Sequence, residues 1–236
     1  METPVNASLK EKFRIEIANL REMTFKRKLE HIWEYYKFHI ISVLIILFVT
    51  LSLLNIWVFN PNPDTALFVS WNAGFATDEQ IDSLVDVFEE RLIEAGVREE
   101  VVVSQFFFNS DDPSVNMAGI QRTVAMISTG MIDLFVLDSQ LLEDYSGIGY
   151  LQPLDSYLSV IESRDPVVYN RIEENIVSAM CEIDEDIIEE RMVGIRIGSS
   201  PLFSKLGMFE QELYLSIAVT SGRTENVIQA LIMFFE

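Results

Sequence analysis

The chain has 236 residues, with 17 Lys and Arg against 37 Asp and Glu and a formal net charge of −20. From Asn60 onward nine basic residues face thirty-one acidic ones, a balance of −22, whereas residues 1–37 hold eight basic and six acidic. So acidic a body excludes tracking of a phosphate backbone, which demands basic patches, and the single cysteine, Cys181, excludes an intramolecular disulfide framework, so an apolar core must hold the fold.

Residues 1–37 form a basic segment in which Ser8 to Tyr36 reads as helix of mixed charge. Two readings stand for it: an inward continuation of the next element, or a helix lying along a membrane surface. Phe38 to Phe59 then runs 22 residues without Asp, Glu, Lys or Arg. At 1.5 Å per residue it crosses a hydrocarbon core of about 30 Å. Trp33, Tyr35 and Tyr36 stand at one end and Trp57 at the other, where amphipathic rings favour the headgroup level. The stretch is too long for a signal-peptide core, and no small-x-small cleavage site follows it. Arg21, Lys26, Arg27, Lys28 and Lys37 flank one side, and no Lys or Arg follows until Arg91. The positive-inside rule then keeps the N-terminus in the cytoplasm and exports the C-terminal part across the plasma membrane. Asn60-Pro-Asn-Pro63 ends the helix, because proline lacks the needed donor. The predicted organisation is a cytoplasmic segment at 1–37, a transmembrane helix at 38–59, a linker at 60–65 and an extracytoplasmic domain at 66–236.

That domain opens with alternating strands and helices. Ala66 to Trp71 is a continuous apolar run, as for a strand buried on both faces. Thr77 and Gln80 read as a capping box, followed by Ile81, Leu84, Val85, Phe88 and Leu92 at helical spacing, with Gly96 as the stop. Val101 to Phe108 is a second strand. Asp111-Asp-Pro113 opens a helix carrying Ile120, Val124 and Ile127, with Asp at the cap. Ile132 to Leu137 is a third strand, leading to a short helix around Leu141 to Tyr145. Helix crossovers between short buried strands predict a parallel sheet.

The later pattern changes. Leu154 to Leu158 reads as a turn feeding a helix. Val177, Ala179, Cys181 and Ile183 alternate with polar neighbours, as in a strand with one buried face, with Asp184 to Glu190 as the turn and Met192 to Ile197 as the return. A helix over Arg171 to Glu190 is the rival reading, so strand and helix both stand for 166–190. Leu213 to Val219 is a late strand, and Thr224 is expected to cap a closing helix with Val227, Ile228, Leu231 and Phe235 on its apolar face.

Motifs for catalysis are missing. Both histidines, His31 and His39, precede or enter the apolar span, which removes His-dependent acid–base chemistry and His-containing zinc patterns from the domain. No P-loop, G-x-S-x-G or G-x-G-x-x-G occurs. The reading is therefore non-enzymatic, with no cofactor and no metal site. The acidic run Asp184, Glu185, Asp186, Glu189 and Glu190 is either a solvated hairpin tip or a Ca²⁺ holder, though it lacks EF-hand spacing. Candidate ligand-binding residues are Trp71, Asn72, Phe108, Asn109, Asp138 and Ser139. All fall where predicted parallel strands end, the edge at which open α/β sheets bind ligands.

Gly130-Met-Ile-Asp-Leu-Phe-Val-Leu-Asp138, followed by Gly149, Leu151, Pro153, Leu154, Asp155 and Tyr157 in a G-x-L-x-P-L-D-x-Y element, resembles the extracellular solute-binding proteins of ABC importers. Arg191 to Ile197 resembles their hairpin strand, and Leu213 to Phe235 their returning strand and helix. The stretch Lys26 to Val58 resembles anchors of membrane proteins of Clostridia-type bacteria. The resemblance implies an α/β domain with a mainly parallel sheet and helices on both faces, one periplasmic-binding-protein-like lobe behind one transmembrane helix. Only Ser199 to Gln211 stands where a second lobe would be inserted. The implied function is an accessory or sensory partner of a membrane transporter. The alternative is a binder of a small solute or cation that completes its cleft by oligomerising; the ligand itself is not indicated.

Overall fold

A computed structural model of the chain describes residues 14, 17, 24–59, 62–106, 113–184, 187–208 and 212–236. The chain divides into two compact units, Met1–Asn62 and Pro63–Glu236.

The first unit is dominated by helix α1, Phe25–Leu54, which passes into a π-helical turn over Asn55–Phe59. Within it, Tyr36–Phe59 is long and apolar enough to cross a membrane, at 24 residues or about 36 Å. Its side chains from Ile41 to Phe59 are all exposed, as an apolar helix without protein neighbours must be. The hydroxyls that interrupt it are satisfied locally: Ser42 donates to the Phe38 carbonyl and Thr50 to that of Ile46, each at 2.8 Å. Most of 1–23 lies outside the described residues, so the predicted helix from Ser8 is seen here only from Phe25.

The second unit is one mixed sheet with helices on both faces. In chain order it comprises β1 Asp64–Trp71, α2 Asp78–Leu92, β2 Glu99–Gln105, α3 Pro113–Ser128, β3 Leu134–Leu137, α4 Ser139–Gly147, β4 Leu151–Gln152, α5 Asp155–Arg164, α6 Pro166–Glu173, β5 Ile176–Asp184, β6 Ile187–Arg196, α7 Pro201–Lys205, β7 Tyr214–Ala218 and α8 Thr224–Phe235. The strands run in the order β2-β1-β3-β7-β6-β5, with β4 also on β7. Alternation along the strands builds two cores. Leu67, Val69, Trp71, Leu134, Val136, Leu215 and Ile217 point to one face, under α2, α5, α6, α7 and α8. Phe68, Phe135, Leu137, Tyr214 and Ala218 point to the other, with Met126 and Ile127 of α3 and Leu142 of α4.

The expectation of a mainly parallel sheet is corrected: the sheet is mixed, and only two of its six strand pairings are parallel. β1 pairs in parallel with β2 and β3, but β3–β7, β7–β6, β6–β5 and β4–β7 are antiparallel. One reason lies in the chain itself: β5 ends at Asp184 and β6 begins at Ile187, and so short a connection serves only antiparallel strands. Residues 166–190 combine the two rival readings. Helix occupies 166–173, and strand begins at Ile176. The return strand starts at Ile187, so Ile187 to Glu190, expected as turn, belong to the ladder. At α8 the cap position falls on Arg223 rather than Thr224, with no side-chain cap bond. The Thr77–Gln80 capping box is present in both directions. Asp111 and Asp112 lie outside the described residues.

A buried carboxylate ties the sheet to its loops. Asp133 is fully buried at the entry to β3. Its Oδ2 accepts from the Phe68 amide at 2.8 Å and from Arg223 Nη1 at 3.0 Å, and its Oδ1 accepts from Ser221 Oγ at 2.8 Å. All three partners are donors, which satisfies a buried carboxyl group.

Candidate functional site

The carboxyl ends of β1 and β3 are adjacent, with Trp71 in register with Val136. Here the structure corrects one expectation. Trp71 presents no contact face: it is fully buried, and its ring stacks on Phe203 of α7 at 5.7 Å between centroids and 19° between planes. Among the described residues its indole Nε1 has no hydrogen-bond partner, which costs about 1–3 kcal/mol. Asn72 is likewise buried, and its Oδ1 accepts from Ser70 Oγ at 2.6 Å. Its amide nitrogen reaches the Tyr145 hydroxyl at 3.5 Å. Asp138 serves as the N-cap of α4, accepting from the Leu141 amide at 2.8 Å. Phe108 and Asn109 lie outside the described residues.

The edge is covered by α7, Pro201–Lys205, within the Ser199–Gln211 stretch that stands where a second lobe was expected to be inserted. Ser200 caps α7 and Pro201 opens it; the helix drops Leu202 and Phe203 into the core, where Phe203 meets both Trp71 and Phe234. Gln80 anchors its far side by donating to the Gly207 carbonyl at 2.8 Å. Ser-Pro followed by an apolar pair is a helix-start signal that could have revealed this inward helix.

Among the described candidates, Ser139 lines open space. A groove of about 450 Å³ runs between α4 and the β5–β6 hairpin, walled by Ser139, Leu142, Glu143, Ala179, Met180 and Tyr214 among others. Its floor is fixed by Ser146, whose hydroxyl donates to the Met180 carbonyl at 2.8 Å and lies 3.0 Å from the buried Cys181 sulfur. Tyr214 donates to Glu212 at 2.8 Å. The lining is mixed: Met180, 55% exposed, stands among Ser139, Glu143, Ser178 and Glu190. Arg191 pairs with Glu189 at 2.6 Å and shapes the hairpin's outer end.

Between this groove and the closed strand edge sits Tyr145, packed edge-on against Phe135 and Tyr150. Burial, reinforced by neighbouring Tyr150 and Asp144, pushes its hydroxyl up to about 12. It stays protonated at neutral pH and serves as a donor or acceptor. Among the described residues no group of three or more His, Cys, Asp or Glu side chains is placed to hold a metal ion.

No family model matches the chain, and no curated protein matches it. Among solved structures it is similar to an extracellular solute-binding protein family 1 from Alicyclobacillus acidocaldarius subsp. acidocaldarius DSM 446, at 13% identity and a TM-score of 0.32, over 58% of this chain. It spans 28% of that protein's length.

Proposed function

We propose that the chain is a single-pass plasma-membrane protein, N-terminus in the cytoplasm, whose second unit is exported and works by non-enzymatic contact as an accessory or sensory partner of a membrane transporter. The orientation follows from the lysines and arginines that flank only one side of the apolar span. One observation carries the contact reading. The strand edge is filled by the chain's own Trp71 and Phe203, while the groove beside Ser139 stays open with Met180 exposed on its wall. Open, elongated and mixed in polarity, such a groove fits a protein segment better than an enclosed solute.

Photo-crosslinking from Met180 and Glu143 in intact membranes tests this. A transporter subunit should be trapped from both positions and lost when Ser139→Trp fills the groove. Equal trapping from a site on α5, or none from the groove, would sink the proposal.

A second reading is a small-solute or cation binder that completes its cleft with another copy, with the open groove beside Ser139 as its half-site. A solute or Ca²⁺ that raises the melting temperature of the chain would support it by mass action.

A further inference from the structure

The sheet ends on β5. Its ladder runs to β6 alone, from Ile176 opposite Ile195 to Asp184 opposite Ile187, so among the described residues no strand pairs with its outer side. Such an edge is a template for another chain, and folded proteins blunt it with proline, lysine or a covering element. The nine residues of β5 include no proline, lysine or arginine. Helix α4 reaches it at one point, where Ser146 Oγ donates to the Met180 carbonyl at 2.8 Å.

Open space flanks the rest of this edge on both faces of the sheet. On one face lies the groove beside α4, bordered by Val177 and Ala179, which pack toward the core of Phe135 and Leu142. On the other a groove of about 380 Å³ separates β5 from α5 and α6. It is bordered by Ile176 and Met192, which pack toward the core of Leu158 and Ile172. Ser178 lines both grooves, so the strand itself is the ridge between them.

The two grooves share one sign of charge. Glu143 and Glu190 line the first and Asp155, Glu162 and Glu173 the second, and no Lys or Arg lines either. None of the five is in an ion pair among the described residues; Arg191 and Arg164, neighbours in the chain, are taken by Glu189 and Glu225. The contrast is local: a groove between α2, α7 and α8 does carry Arg91 and Lys205.

We infer that β5 takes an extended, lysine- or arginine-bearing segment of a partner protein as an added strand. This deepens the contact reading above and rests on it. Main-chain bonds across a strand spacing of ~4.8 Å supply the affinity. Successive side chains of a strand point to opposite faces, so those of the guest enter the two grooves in turn. There the aliphatic stems of its cations lie on Met180 or Met192, and their charged ends meet the five carboxylates. A second copy of this chain would bring the same carboxylates to the same edge, and like charges oppose that pairing.

The full chain in phosphatidylcholine nanodiscs, titrated with a fluorescent hexapeptide of alternating lysine and valine, tests this by anisotropy, with empty discs subtracted. A glutamate–valine twin should bind at least about tenfold more weakly. So should a lysine–valine twin N-methylated at every amide, which keeps the charge and cannot join a ladder. Glu143→Gln with Glu162→Gln, one carboxylate from each groove, should weaken the lysine peptide about threefold or more. Glu79→Gln with Glu94→Gln, the same change of charge at α2, should leave it unaltered. Equal binding of the lysine peptide and its methylated twin would reduce the attraction to bulk charge and overturn the added strand. Discs that cluster as their concentration rises and then exclude the peptide would assign the edge to a second copy and overturn it as well. A transporter subunit trapped from Met180 without any peptide preference would spare the contact reading and sink only the added strand. Peptide preference without trapping would keep the added strand and reject the transporter.

Discussion

Asp133 shows how much one buried side chain can organise. Its two oxygens hold a strand amide, a loop hydroxyl and a guanidinium, so Asp133→Ala strands Arg223 and the Phe68 amide together. The expected loss is about 3–5 kcal/mol, read as a lower urea midpoint for the second unit. In the sequence this residue was visible only as an Asp inside an apolar run. Tyr145 gives a test of a different kind. Its folded-state pKa is raised from 10.0 to about 12, so its contribution is fully present below pH 10 and is lost as pH climbs from 10 to 12, where the unfolded chain releases the proton first. Tyr145→Phe should therefore make the alkaline fall in stability shallower, by on the order of 2 kcal/mol at most, in melts at pH 9, 10, 11 and 12.

At the scale of elements, helices with caps and strands with long apolar runs were legible, because those signals are local. Thr77 and Gln80 mark the start of α2, and Thr77→Ala should cost about 1 kcal/mol in the same urea titration. Strand direction was not legible. Leu213 to Val219 reads the same whether it joins its neighbours parallel or antiparallel, and the helix-bearing connection between Arg196 and Tyr214 is long enough to serve either direction. Nor was the inward turn of α7: Phe203 sits in a stretch that looked like a remnant, yet it fills space between Trp71 and Phe234. Phe203→Ala should destabilise by about 3–5 kcal/mol through the cavity it leaves, measured by thermal and chemical unfolding. Of the candidate site, Trp71 misled because an aromatic at a strand end looks alike whether it faces solvent or a lid. Ser139 reached open space through α4, whose packing against β5 depends on contacts distant in the chain.

The whole molecule joins a charge-free span to an acidic body, and that contrast was plain in composition. It predicts that alkaline carbonate leaves the chain in the membrane pellet, and that protease added to intact cells removes the second unit while sparing residues 1–37. Release by carbonate, or protection until lysis, would reject the anchored orientation. Pairwise geometry across the sheet was hidden because it arises from tertiary contact, as with β3, β7 and β4, which meet only in the folded sheet. The stack of Trp71 under Phe203 has one more use. The other two tryptophans, Trp33 and Trp57, belong to the first unit. The second unit thus carries a single indole, wedged beneath the helix that shuts its strand edge. Any event that lifts that helix would shift indole emission to the red, giving the protein a native optical gauge of its own opening.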